Sequence, residues 1–271
     1  MAKTNDESNT IDLDWDERAR SNALHYIRSD RRDWDLESFF KSGEEDYQQL
    51  VVPRLSALGF EPQGKTMLEV GCGVGRVTRS FAGRFARVYA LDVSDEMLRR
   101  GRDLHADYEN IVWLRGDGTR FPQLADDSVD FVFSYLTLQH MPSTDLAVAY
   151  VREILRVLKP SGIYCFQFNS LVGPTMNWKG RLIWGIIDRL REPVWSLNLD
   201  PVGRGLASLF RLDPLAAGRT WHGAVLPPHE ALEAVWESGG AVRGVTGWGS
   251  PLTWCYGYKK GVQTRGSADC V

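Results

Sequence analysis

The stretch Leu68-Glu69-Val70-Gly71-Cys72-Gly73-Val74-Gly75-Arg76 constrains the fold more than any other part of the chain. Twenty-one residues after Gly71, a second apolar segment ends in Leu91-Asp92-Val93. A strand running into a glycine turn, a helix, and a second strand ending in a carboxylate make up a nucleotide-binding βαβ half. Gly71 and Gly73 permit a sharp turn and let backbone N–H groups approach a ligand that a Cβ would hold off, while Gly75 lets the following helix pack close. Asp92 stands at the carboxyl end of the second strand, where its two oxygens can accept both hydroxyls of a ribose.

The spacing also separates cofactors. A dinucleotide fingerprint G-x-G-x-x-G counted from Gly71 needs glycine at position 76, and Arg76 stands there, which opposes hydride transfer with a nicotinamide cofactor. Glu69, two places before the first glycine, is no part of that fingerprint either. The pattern E-x-G-x-G-x-G with the distal Asp92 resembles the class I S-adenosylmethionine-dependent methyltransferases. Further motifs follow in that family's order. Gly116-Asp117-Gly118 after Ile111-Val112-Trp113-Leu114 is similar to its third-strand motif, and Asp130 to Leu136 with Gln139-His140-Met141 resembles its fourth strand and the loop beyond it. Glu153 to Gly162 resembles the helix and turn before its fifth strand, so the likeness covers roughly residues 64 to 170.

The resemblance implies an α/β fold: one Rossmann-like domain with a seven-stranded sheet of order 3-2-1-4-5-7-6. It implies S-adenosyl-L-methionine as cofactor, bound by Glu69, Gly71, Cys72, Gly73, Gly75, Asp92, Val93, Met97, Asp117, Gly118 and Ser134. In that reading Asp92 holds the ribose and Asp117 meets the adenine edge, while Glu69 orients the glycine loop or reaches the methionine amino group through water.

Methyl transfer needs an in-line approach of nucleophile, methyl carbon and sulfur, so much of the catalysis can come from positioning, and a base is optional. His140 is the foremost base candidate, because the resemblance places it on the carboxyl-end rim where ligands of open α/β sheets bind. The alternative is that it bonds a loop carbonyl or supports the cofactor. Tyr135 is a second catalytic candidate, and with Gln139 it could orient a substrate hydroxyl or serve as packing. His222, His25 and Tyr26 are further candidates, whereas His105 and His229 read as surface residues on helices. Asp130 reads as a sheet-end residue and Asp126-Asp127 as a solvated turn.

Along the chain, residues 1–13 are polar and read as a disordered tail, and residues 14–62 as an N-terminal helical cap. One apolar face of the cap runs Trp15, Ala19, Ala23, Tyr26, Ile27 and another Tyr47, Leu50, Val51, Leu55, Leu58, with Pro53 predicting a kink or two short helices. The core takes in residues 63–260, with N-caps at Ser94 and Ser143, a helix stopped by Pro160 and Gly162, and a fifth strand over Ile163–Phe168. Tyr150 falls on the core face of the helix after Ser143. Residues 171–225 break the alternation and read as a lid or substrate insertion. A helix near Pro228–Ser238 and strands near Val242–Trp248 and Thr253–Tyr258 close the core, and residues 261–271 form a tail.

Composition narrows the acceptor. A net charge of −3 and a pI near 6.0 give no electrostatic footprint for nucleic acid. No apolar run approaches the ~18 residues of a membrane span and the N-terminus is no signal sequence, so the expectation is a cytoplasmic protein. The cysteines at 72, 165, 255 and 270 show no metal-ligand spacing, and no metal is implied. Ten tryptophans are many for 271 residues, and Trp15, Trp34, Trp178, Trp184, Trp195 and Trp221 lie in the cap and the insertion. An aromatic lid favours a flat or partly apolar small-molecule acceptor, although the same rings could merely join accessory helices to the core. The expected function is O-methylation of a secondary metabolite, a quinone-like or aromatic compound, or a glycan sugar. A lipid acceptor is the alternative, because residues 171–222 carry seven Lys/Arg against four Asp/Glu and the amphipathic stretch 178–191 could lie on a membrane. A non-catalytic cofactor-binding module is the alternative of another class.

Overall fold

The computed structural model describes residues 2–171 and 223–261. The amphipathic stretch 178–191, His222, Cys270 and the tryptophans of the insertion lie outside the described residues.

Five parallel strands, β1 (Thr66–Val70), β2 (Arg87–Asp92), β3 (Ile111–Arg115), β4 (Val129–Ser134) and β5 (Leu158–Phe168), are joined by β6 (Gly240–Thr246) and β7 (Thr253–Lys259). The order is β3-β2-β1-β4-β5-β7-β6, as the resemblance implies, with β7 antiparallel to both its neighbours. The strands read as continuous apolar runs because both faces are covered. Successive residues alternate between two cores. Leu68, Val132, Tyr164 and Phe166 face one layer of helices, while Met67, Phe131, Phe133 and Cys165 face the other, where Phe85 stacks on Phe131 at 5.8 Å. Helix α4 (Thr78–Ala82) belongs to the second face, where Val77, Phe81 and Phe85 are buried.

Local signals set several boundaries. The Ser94 side chain accepts from Met97 N at 3.1 Å and opens α5 (Asp95–Leu104), and Ser143 accepts from Leu146 N at 3.4 Å to open α6 (Thr144–Val157). Strand β5 begins at Leu158 rather than Ile163, because Leu158 pairs with Val129 and a register shift between Val129 and Phe131 absorbs the Pro160–Ser161 excursion. The helix before β6 spans Pro228–Glu237 (α7), and β6 starts two residues earlier than its apolar run suggests.

The cap departs more. Helix α1 spans Ala2–Ile27, broken at Asn22 (φ −163°, ψ 82°), whose Oδ1 accepts from His25 N and caps the last turn. The tail expected over residues 1–13 is thus helical from Ala2. Ile11 lies one helical turn before Trp15 and is 3% exposed, so the buried face reaches into a stretch that composition alone marks as polar. Contacts distant in sequence hold α1 to α5: Asp16 Oδ1 accepts from Ser94 Oγ at 2.6 Å and from Glu96 N at 3.1 Å. Helix α2 (Leu36–Asp46) runs into a π-helical turn, Tyr47–Val51, and then α3 (Val52–Ala57). Pro53 sits in the first turn of α3, where its missing N–H has no intrahelical partner to lose, so the irregularity falls just before it.

His105 is not a surface residue. It is 3% exposed, wedged between the rings of Phe40 and Trp113, with its Nδ1–H donating to Gly101 O at 2.9 Å. Burial lowers its pKa. His229 has an exposed side chain.

Candidate active site

A cleft of about 520 Å³ opens at the carboxyl ends of β1, β2 and β4. The glycine turn forms one wall. Gly71 N and Cys72 N both donate to Leu91 O, at 2.7 and 3.0 Å, which folds the turn over the end of β2. Gly71 has φ +76°, and a Cβ there would overlap the Thr137 side chain. That side chain is itself tied to β1 by a hydrogen bond from its Oγ1 to Val70 O at 3.0 Å. Gly75 (φ +86°) supports the turn from behind, against Trp113 and His105, and does not line the cleft.

Asp92 is held by the backbone on both sides. Its Oδ2 accepts from Gly73 N at 2.8 Å and its Oδ1 from Ser94 N at 3.0 Å. Each carboxylate oxygen offers about two acceptor positions, so lone pairs remain for a ligand. Burial raises its pKa above the ordinary carboxylate value, and the two backbone hydrogen bonds oppose that rise. Glu69 lines the cleft but is only 5% exposed, and it accepts from Thr78 Oγ1 at 2.5 Å, linking β1 to the helix after the loop. Burial pushes its carboxyl up to about 7, against the Thr78 hydrogen bond and the Arg76 charge.

The opposite wall comes from the cap and from the loop after β4. Ile11, Trp15 and Tyr26 of α1 line the cleft, as do Arg28 and Asp46. Asp46 joins Arg28 Nη1 at 3.0 Å to Arg76 Nη2 at 2.6 Å, and Arg76 Nη1 donates to Ser42 Oγ at 3.2 Å. The residue that breaks the dinucleotide fingerprint therefore clamps the cap to the glycine turn. Tyr135 stacks on Trp254 at 5.3 Å, and burial raises its phenol, with Asp46, Arg76 and Arg28 as its charged neighbours.

Beyond Tyr135, Leu136 adopts φ +56°, a conformation that a branched side chain holds only when its surroundings enforce it. Gln167, fully buried on β5, supplies the constraint. Its Oε1 accepts from Leu136 N at 2.9 Å, and its Nε2 donates to Gln139 Oε1 at 3.2 Å and Pro251 O at 2.6 Å. That fixes the Gln139 amide so that its Nε2 points to His140 Nε2 at 3.3 Å. The His140 ring lies edge-on to Trp15 at 5.3 Å. Residues 223–226 return beside the same loop, with Ala224 N donating to Met141 O at 2.7 Å.

Of the residues named from sequence, Glu69, Gly71, Cys72, Gly73, Asp92, Val93, Met97, Tyr135 and His140 line this one cleft. Ser134, Asp117 and Gly118 do not. Ser134 is fully buried with its Oγ donating to Val70 O at 3.3 Å. Asp117 Oδ1 accepts from Thr119 N, Thr119 Oγ1 and Arg120 N at 2.8, 2.8 and 2.6 Å, an exposed turn at the end of β3. His25 Nδ1 donates to Arg31 O at 2.8 Å. Asp130 takes Thr66 N and Lys159 Nζ at the far end of the sheet. Sequence reasoning missed Ile11, Arg28, Asp46 and Thr137 as cleft residues. For Ile11 a signal existed, its four-residue spacing from Trp15; the others meet the site only through the tertiary fold.

The sheet order, the glycine turn and the carboxylate at the end of β2 define the class I methyltransferase fold. Residues 68–166 match the family model described as a methyltransferase domain. That stretch is a methyltransferase domain, and the fold around it is that of the class I S-adenosylmethionine-dependent methyltransferases. It is 31% identical to phosphoethanolamine N-methyltransferase 1 of Triticum aestivum over 151 residues, 55% of this chain and 28% of that one. It is 36% identical to the malonyl-[acyl-carrier protein] O-methyltransferase of Pectobacterium atrosepticum over 121 residues, 45% of each. The chain thus spans less than half the length of these two relatives. Among solved structures, magnesium protoporphyrin IX methyltransferase from Synechocystis with bound S-adenosylhomocysteine superposes with a TM-score of 0.59 at 15% identity. That alignment covers 93% of this chain and 99% of the other, a likeness of fold. Among the described residues no helix is long and apolar enough to cross a membrane.

Proposed function

We propose that this protein transfers a methyl group from S-adenosylmethionine to an oxygen of a small-molecule acceptor. One observation carries the reading: the residues suited to a nucleoside and the residues suited to proton transfer line a single cleft. Its volume lies within the range usual for small-molecule and cofactor sites, about 300–1,000 Å³.

The cleft fits the cofactor on its own chemistry. Asp92 keeps acceptor capacity for the ribose hydroxyls, and Glu69 offers a carboxylate toward a cationic amino group. Val93, Met97 and Leu91 supply apolar walls for a base. When bound, S-adenosylmethionine supplies an electrophilic methyl group on a sulfonium. The protein's task is then to place an acceptor atom in line, keep water out and take a proton where the acceptor has one to lose. Trp15 covers one side of His140, and the Gln167–Gln139 pair sets the ring's orientation. Because Gln139 Nε2 donates, His140 Nε2 carries the lone pair and the amide occupies it, so His140 takes an acceptor's proton where the acceptor displaces the Gln139 amide from that nitrogen. Tyr135, among Asp46, Arg28 and Arg76, keeps its proton and can donate to the acceptor.

The test is to incubate the protein with methyl-labelled S-adenosylmethionine and a cell extract, then separate polar, glycan, lipid, protein and nucleic-acid fractions. Label in the polar or glycan fraction, absent with an Asp92→Ala control, is the expected result. Label confined to lipid favours a membrane-facing acceptor, and no label with cofactor binding intact favours a binding module.

A further inference from the structure

Tyr150 carries a buried hydroxyl that the fold does not use. The residue is 1% exposed in the core of α6, and among the described residues its hydroxyl has no hydrogen-bond partner. Its ring meets Phe121 edge-on at 5.4 Å, which holds the side chain in place. A buried hydroxyl without a partner destabilises a fold, whereas phenylalanine would fill the same space among Leu146, Val151 and Met141 without that cost. Tyr150 also lines the cleft, together with Leu91, Asp92 and Val93. The carboxylates Asp92, Asp117 and Glu153 act on it electrostatically. Burial and these carboxylates push the phenol far above neutrality, so the group stays protonated and offers both a donor and an acceptor.

We propose that the Tyr150 hydroxyl is a ligand of the adenosine part of the bound cofactor, a polar contact that α6 adds beside Asp92. This rests on the cofactor reading above. Tyr150 packs in one cluster with Leu91 and Val93, the residues on either side of Asp92, the group suited to a ribose, whereas Tyr135 packs against the other core. It therefore meets the nucleoside and not the amino-acid tail or the methyl acceptor. A ligand there satisfies a group that the ligand-free protein leaves strained, so its contribution appears in affinity and not in fold stability.

Tyr150→Phe separates these effects. Calorimetric titration with S-adenosylhomocysteine and with 5′-methylthioadenosine, which lacks the amino-acid tail, should show about tenfold weaker binding of both. Thermal unfolding of the ligand-free variant should give a Tm equal to or above that of wild type. Unchanged affinities, a loss confined to S-adenosylhomocysteine, or a lower ligand-free Tm would each overturn the assignment. Wild-type protein that failed to bind S-adenosylhomocysteine would instead remove the cofactor reading on which the assignment depends.

Discussion

The two walls of the cleft are built in opposite ways. The glycine turn, Glu69 and Asp92 come from one continuous stretch of twenty-four residues, 69 to 92, and are fixed by hydrogen bonds within one βαβ unit such as Gly73 N to Asp92 Oδ2. The facing wall draws Trp15 from the first helix, Asp46 from the second, His140 from a loop after the fourth strand, and its anchor Gln167 from the fifth. Local spacing encodes the first wall. The second exists only when distant segments meet, so it is where acceptor specificity can vary while the cofactor wall is kept.

That contrast can be broken at several points. The largest effect is expected at His140. If the second wall performs the proton transfer, His140→Ala should lower kcat by about 10²–10⁴ while leaving S-adenosylhomocysteine affinity within a factor of two. A matching loss of affinity would move His140 to the cofactor wall.

Asp46 joins the walls. Its removal leaves Arg76, whose side chain is only 4% exposed, without its carboxylate. Breaking a buried pair on one side typically costs about 3 kcal/mol or more. Asp46→Ala should therefore destabilise the protein by about 3 kcal/mol in urea unfolding. A change below about 1 kcal/mol would mean that the cap is held by apolar contacts and not by this clamp.

Glu69 gives the smallest effect and a pH signature. Its folded pKa of about 7 lies above the ordinary 4.5, so between those values the folded chain keeps a proton that the unfolded chain has released. Stability then falls as pH rises through that window and is level above it. Glu69→Gln removes the charge but keeps an acceptor for Thr78. Its stability relative to wild type should grow by about 2–3 kcal/mol between pH 4.5 and pH 8. Parallel profiles for the two proteins would show that Glu69 is not desolvated by the fold.

How much was legible in the sequence follows the same division. Ser94 and Ser143 cap as their positions suggest, and the glycine turn and Asp92 meet as their spacing requires, because each signal and its partner lie within a few residues or one βαβ unit. The strand order came with the family resemblance, not with periodicity. The helix running through residues 2–13 was hidden because its buried residue, Ile11, stands in a polar stretch and finds its partners on the cleft wall. His105 was misplaced for a related reason. A histidine at a helix end looks exposed until Phe40 and Trp113 arrive from other elements. Tyr150 was legible as a core residue, but its unpartnered hydroxyl belongs to the tertiary structure alone.

The most direct test of the account is the affinity of the cofactor wall for the product of methyl transfer. Calorimetry of S-adenosylhomocysteine against wild type and Asp92→Ala should give saturable one-to-one binding to wild type and about 100-fold weaker binding to the variant. That ratio is the loss expected when a charged acceptor is taken from two hydroxyls. Binding within a factor of two in both proteins would contradict the assignment of Asp92, and no binding to wild type would contradict the function proposed for the cleft.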